Sequence, residues 1–281
     1  MQIKIGKLTL VMLLASVVGC SNTPPLSSSR AAKPPVAEPQ KMAITMNNYT
    51  VNKLQSLLAL HNALPQADKS QMIALLSQAF LDTPYVANQL IGSASTPEQL
   101  VIDFSGLDCF TYLDYVQALR TASNENELVE NVIQTRYING RIDFQHRKHF
   151  FTDWAQTEHI LASDITAQLS PHAVTVSKHL NRKADGSLYL PGLPTVERPI
   201  SYIPSEFVDD NVITQLQTGD YIGIYSKLPG LDVTHTGFFI ITQHGPVLRN
   251  ASSSKESMKV MDSPFASYVS HTPGIVVLRP H

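Results

Sequence analysis

The sequence predicts an α+β fold, with N-terminal helices packed on an antiparallel sheet. Apolar residues recur at helical spacing through the first half, and short strand-like runs divided by turn residues fill the last third. The helical signals come first and the strand signals afterwards, the order expected when helices gather on one antiparallel sheet. No internal repeat interrupts this progression.

The chain opens with an export signal. Lys4 and Lys7 give a positive start, Leu8 to Val18 an apolar run, and Val17-Val18-Gly19-Cys20 a small-residue processing site. That tetrapeptide resembles a bacterial lipobox, in which cleavage before the cysteine is coupled to its acylation. Residues 1–19 are therefore expected to be a leader, with Cys20 the lipidated first residue of the mature chain. Ser21 follows it, and resemblance to Gram-negative lipoproteins then implies a periplasmic protein anchored to the outer membrane. Residues 20–45 are rich in Ser, Pro and Ala without periodicity and read as the lipidated cysteine and an extended tether.

The expected folded domain covers residues 46–281. Leu54, Leu57, Leu58, Leu60 and Leu64 predict one helix, and Met72, Leu75, Leu76 and Phe80 a second that begins at Ser70. Thr83-Pro84-Tyr85 breaks the pattern. Phe110, Leu113, Val116 and Leu119 then predict a third helix opening at Cys109, with Asp108 or Ser105 as its cap. A fourth is expected over Glu127–Arg136, followed by the aromatic-rich Phe150–Trp154, where Trp154 reads as core. Residues 181–206 carry Gly186, Pro191, Gly192, Pro194, Pro199 and Pro204 and are read as a long ordered loop. Tyr221–Tyr225, Gly237–Ile241, Pro246–Leu248 and Ile275–Leu278 are read as strands.

Charge narrows the functional classes. The chain has 21 Lys and Arg against 23 Asp and Glu, and loss of Lys4 and Lys7 with the leader leaves 19 against 23. Such a balance gives no electrostatic basis for binding nucleic acid. No stretch after the leader reaches the roughly 18 apolar residues of a spanning helix, so membrane association is expected only through lipid on Cys20. Several acyl chains there would hold firmly, at about 0.8 kcal/mol per buried methylene.

Of the two cysteines, Cys109 is the one left for chemistry. An unpaired thiol in an oxidising compartment is either buried and inert or kept for reactivity. At the first turn of a helix it sits near the positive end of the backbone dipole, which favours thiolate. His235, at the start of a core strand, is well placed as a base. If Val247-Leu248 returns beside that strand as a hairpin, Asn250 comes back alongside His235 and can orient its ring. Each residue also has a plainer reading: a small buried cysteine, a structural histidine, a turn-forming asparagine. Asp143, His146 and His149 have a D-x-x-H-x-x-H spacing but no recognisable zinc pattern, and read as a polar or substrate-facing surface with no metal or other cofactor.

Several ordered blocks then carry a resemblance. They are Asp82-Thr83-Pro84-Tyr85, Pro97-Glu98-Gln99-Leu100-Val101 and Leu107-Asp108-Cys109-Phe110-Thr111-Tyr112, followed by Gly140-Arg141-Ile142-Asp143, Arg147 and Phe151-Thr152-Asp153-Trp154. Together they resemble the N-acetylmuramoyl-L-alanine amidase-like family, which is similar to the papain-like peptidoglycan hydrolases of the NlpC type. The resemblance implies a papain-like cysteine hydrolase fold and cleavage of an amide bond in peptidoglycan or muropeptides. It places the nucleophile on Cys109, the base on His235 within Thr234-His235-Thr236-Gly237, and the third polar group on Asn250, where relatives often carry His. Asp108 and Tyr85 match positions that help bind the free amine of a stem peptide, while Arg147 is a candidate for its carboxylates. A helix cap, a packed aromatic and a solvated arginine are the alternatives for these three. Phe110 stands where relatives often have a smaller residue and is expected to narrow the pocket. The order Cys before His disfavours the permuted acyltransferase branch. Competing functions are a D-glutamyl–diaminopimelate endopeptidase, a catalytically silent wall-binding lipoprotein and a structural lipoprotein without ligand.

Overall fold

Helix starts are written by carboxylate and amide caps. In the computed structural model, which describes residues 44–281, a short strand β1 (Ile44–Thr45) leads into α1 (Asn48–Asn62) and α2 (Lys69–Gln78). Asn47 caps α1, its side chain accepting from the Thr50 N–H at 2.7 Å. Asp68 caps α2 through a capping box with Gln71, so the helix begins just before Ser70. The leader, Cys20 and the tether up to residue 43 lie outside the described residues. Ile44 and Thr45 pair in parallel with β2 (Leu100–Val101).

Asp108 caps α3 (Cys109–Leu119), and Asn124 caps α4 (Glu125–Arg136). Every residue of α3 from Thr111 to Leu119 is buried, because this helix is packed by α1, α2 and α4 on one side and by the sheet on the other. The charge it buries, Asp114, is paired with the equally buried Arg136 at 2.9 Å. The aromatic segment yields only a single turn, α5 (Asp153–Gln156), and Trp154 is fully buried as expected.

The remaining elements are β3 (Ala162–Asp164), α6 (Thr166–Leu169), β4 (Val174–Leu180), β5 (Val196–Pro204), α7 (Asp210–Ile213), β6 (Tyr221–Tyr225), β7 (Val233–Thr242), β8 (Gly245–Ser252), β9 (Lys259–Pro264), α8 (Phe265–Ser270) and β10 (Gly274–Pro280). The strands form an antiparallel sheet in the order β4-β5-β10-β6-β7-β8-β9, with β3 also on β10. The chain is thus α+β.

Residues 181–206 are not loop throughout, since β5 pairs along its length with β4 from Val174↔Tyr202 to Leu180↔Val196. Prolines do not forbid this strand. Pro199 lies where β5 has β4 as its partner and no second strand, because β10 meets β5 only at Ile203 and Pro204.

Alternation along the strands divides the core into two layers. Tyr221, Tyr225, Phe238 and Ile240 face the helices of the first half, where the Phe238 ring meets Tyr112 edge-on at 5.2 Å. Ile222, Ile224, Phe239, Leu248 and Val277 face Phe265 and Val269 of α8 and Leu169 of α6. Neighbouring residues on one strand therefore address opposite layers, which places His235 and Thr236 on different sides of β7. Among the described residues no helix is long and apolar enough to cross a membrane.

Candidate active site

Cys109 is the first residue of α3. Asp108 before it accepts through Oδ1 from the Phe110 N–H (3.0 Å), the Thr111 N–H (2.7 Å) and the Thr111 hydroxyl (2.8 Å). The Cys109 N–H has no acceptor on another described residue, and it acts on its own thiol. The thiol, however, is not the low-pKa group expected from its place on the helix. Burial pushes it up to about 11 and the Asp108 carboxylate adds to the rise, against the pull of the Thr236 N–H and hydroxyl. The same carboxylate that starts the helix also offsets its positive end.

The β7–β8 hairpin supplies the other two groups. Phe238 pairs with Arg249, so Gly237 stands opposite Asn250 and His235 is its diagonal neighbour on the same face. Imidazole Nε2 lies 2.9 Å from Asn250 Oδ1. Asn250 is itself buried, and its Nδ2 donates to the Leu248 carbonyl (3.0 Å) and Ser263 Oγ (3.3 Å). With the amide donors so used, Oδ1 accepts from Nε2–H and the Nδ1 lone pair of His235 is left free. Asn250 is therefore a strand residue with an assigned side-chain role, and not a turn former. Gly237 permits this approach, because a Cβ there would lie 2.8 Å from the Arg249 carbonyl oxygen and 3.0 Å from Asn250 Cβ.

Thr236 joins the two halves of the site. Its hydroxyl donates to the Cys109 carbonyl oxygen at 2.9 Å, tying β7 to the start of α3 one residue from His235, whose side chain leaves the other face of the strand. Burial lowers the His235 pKa below 6.5, with the Asn250 bond opposing. The imidazole is consequently neutral at pH 7, a base ready to accept a proton. Tyr268 of α8 borders both groups: its ring centroid is 6.3 Å from that of His235, and burial and then Cys109 raise its pKa. Sequence reasoning missed Tyr268, since the short helix that carries it has little periodicity to read.

The three expected substrate-binding residues meet unequal fates. Tyr85 forms a parallel bridge with Leu107, and its pKa is raised by burial, then by the nearby charges of Cys109 and Asp108. Asp108 and Arg147 line one cavity of about 460 Å³ together with Asn88, Ser93 and Phe144. Arg147 is not simply solvated. Its Nε and Nη2 grip Glu98 at 2.9 and 2.5 Å, and the Tyr137 hydroxyl donates to the same carboxylate at 2.7 Å. Nη1 has no partner among the described residues and is the part of Arg147 left for a ligand. Glu98 was legible only as part of a sequence block. Gly92 makes room for the clamp, since its φ is +149° and a Cβ would fall 1.8 Å from Glu98 Oε2.

Asp143, His146 and His149 do not converge. His146 and Arg141 both bind Asp143, each at 2.7 Å, whereas His149 bonds the Phe144 carbonyl at 2.7 Å. Phe110 leans on Trp154 with ring centroids 5.7 Å apart, so much of its bulk joins the core.

Residues 75–275 match the model of the N-acetylmuramoyl-L-alanine amidase-like family. Among solved structures, a Legionella pneumophila protein shares the fold with a TM-score of 0.68 at 22% identity, over 82% of this chain and 95% of that one. An N-acetylmuramoyl-L-alanine amidase from Bacteroides uniformis gives a TM-score of 0.63 at 27% identity, over 76% of this chain and 100% of its own. No curated protein matches the chain.

Proposed function

Because the chain belongs to the N-acetylmuramoyl-L-alanine amidase-like family, we propose that it is a thiol-dependent, papain-like hydrolase that cuts the amide between N-acetylmuramic acid and L-alanine in peptidoglycan or muropeptides. The observation that supports this reading is the Thr236–Cys109 bond, which ties the strand carrying the Asn250-bonded His235 to the helix start carrying the one cysteine of the described residues.

In this mechanism His235 Nδ1 takes the Cys109 proton as Sγ attacks the amide carbonyl carbon. The carbonyl π pair moves to oxygen, and the resulting oxyanion is met by the Cys109 N–H. A neutral thiol and a neutral imidazole fit this order, in which proton transfer accompanies attack and no ion pair stands ready. The C–N bond then breaks, and the departing amine leaves with the proton held by His235. Water, deprotonated by the same nitrogen, hydrolyses the thioester and frees the acid and the thiol. Arg147 Nη1 and Asp108 line the cavity next to Cys109 and would hold the stem peptide's charged groups.

A second reading has its own observation. Tyr85 bridges to Leu107, the residue before Asp108 at the start of the helix that Cys109 opens, an arrangement that suits a free peptide amine and favours the D-glutamyl–diaminopimelate bond. Mass spectrometry of defined muropeptides separates the two. Release of the intact stem peptide from the sugar supports the amidase, and a product split after D-glutamate supports the endopeptidase. Binding of muropeptides without any product would make the protein a silent wall binder. The leader at residues 1–19, lipidation at Cys20 and attachment to the periplasmic side of the outer membrane belong to the same proposal and rest on residues 1–21. Metabolic labelling with a radioactive fatty acid, lost in Cys20→Ala, is the corresponding test.

A further inference from the structure

Four of the chain's 21 Lys and Arg line a single cavity of about 560 Å³ that includes none of the candidate site residues: Lys178, Arg182, Lys183 and Lys227, with His179 beside them. In a chain of net charge −2 this concentration is not a by-product of a basic composition. No carboxylate lines the cavity. Of the carboxylates around it, Asp232 acts on Lys178 and Asp185 on Lys183 without a direct ion pair, and Glu197 accepts from Ser177 at 2.9 Å. Arg182, Lys183 and Lys227 form no ion pair among the described residues.

The cavity is a built feature of the fold. Lys178 is buried, and its ammonium is held by the carbonyls of Ser226, Leu228 and Leu231, which pins the segment carrying Lys227 against β4. The same ammonium lies 4.6 Å over the Tyr225 ring, and that ring stacks on Tyr202 at 3.7 Å. Lys183 rests 5.2 Å over Tyr189. Lys178 is satisfied by these carbonyls, whereas Arg182 and Lys227 are exposed and Lys183 half-buried, with no direct ion pair among the described residues.

Position relates the cavity to the site. It runs from β4 to Tyr225 of β6, the residue after Ile224, which pairs with His235. Lys178 Nζ lies over the Tyr225 ring, so the inner end of the cavity is close along β6 to the partner of His235, with Arg182, Lys183 and Lys227 lining the rest. A polymer with acidic side peptides at every repeat can present one peptide at Cys109 and the carboxylates of the next to these cations.

We propose that this cavity is an exosite for polymeric peptidoglycan, binding free carboxylates of a stem peptide next to the one being cut. The inference rests on the reading of the protein as a peptidoglycan hydrolase and adds the place where the polymer is retained.

The test is co-sedimentation of the full-length Cys109→Ala chain with purified sacculi, compared with the same chain also carrying Arg182→Glu and Lys227→Glu, both at exposed positions. Binding by the parent is expected to weaken with salt, and the charge reversals to reduce it roughly tenfold. In the background with Cys109 intact, the same reversals leave cleavage of a soluble muropeptide unchanged. Equal sedimentation of the two forms overturns the exosite while cleavage by the wild type still upholds the hydrolase. Loss of binding to vesicles of anionic phospholipid with sacculus binding intact overturns it in favour of a lipid surface. Failure of the wild type to cleave any muropeptide is a separate result and falls on the underlying reading.

Discussion

His235 and Asn250 are joined by a 2.9 Å bond between Nε2 and Oδ1, and the bond determines which imidazole nitrogen is free to accept a proton. Because Asn250 Nδ2 is committed to Leu248 and Ser263, the amide cannot turn over without losing both bonds.

Replacing Asn250 with Ala therefore removes orientation and leaves the base in place. The expected result is a fall in kcat of about 100-fold, the scale of general acid–base catalysis, with KM little changed. Steady-state kinetics on a soluble muropeptide check this; an equal loss through KM would place Asn250 in binding instead.

Alkylation of Cys109 by iodoacetamide should be slow at neutral pH and accelerate as pH climbs toward the thiol's value of about 11. A rate already level between pH 5 and 8 would show a standing thiolate–imidazolium pair. Linkage gives the same group a stability signature. Its folded pKa lies above the ordinary thiol value of 9.0, so the unfolded chain ionises first. Cys109 therefore withdraws stability as pH rises from 9 toward 11, a loss absent from Cys109→Ala in denaturant titrations.

The histidine behaves in the opposite pH region. Burial holds its folded pKa below 6.5, so the base form survives to more acid pH than in a free imidazole. The unfolded chain takes up the proton first, and stability from this group is lost as pH falls below 6.5. The acid limb of kcat/KM should accordingly lie below pH 6.5. A limb near 7.5 would mean that another group controls the reaction.

Gly92→Ala introduces a Cβ 1.8 Å from Glu98 Oε2 at a φ of +149°. Backbone strain and displacement of the clamp together should cost about 1–3 kcal/mol in thermal denaturation. KM should rise as well, since Arg147 loses the carboxylate that aims it. An unchanged melting temperature would show that Glu98 moves aside freely.

Much of this arrangement was legible in the residues. The α+β order, the Asp108 cap on α3 and the strand Tyr221–Tyr225 could be read because burial there follows a helical or alternating period. The pairing of His235 with Asn250 was legible as soon as β7 and β8 were read as a hairpin. What escaped has physical reasons. Asp68-x-x-Gln71 is a capping box that apolar spacing ignores. The strand β5 was hidden by prolines that are harmless where it lacks a second neighbour. Tyr268 and the Glu98–Arg147 clamp depend on tertiary approach, which leaves no periodic trace. The high thiol pKa was missed because a helix start favours thiolate, and only the folded chain shows burial and Asp108 outweighing the dipole.

Cys109 as the nucleophile of an amide hydrolase is tested most directly by turnover of a defined muropeptide by the wild-type chain and by Cys109→Ala, followed by mass spectrometry, with circular dichroism to confirm that both are folded. The wild type is expected to give a cleaved product and the variant none above background. Comparable product from a folded Cys109→Ala chain would rule out this role for the thiol.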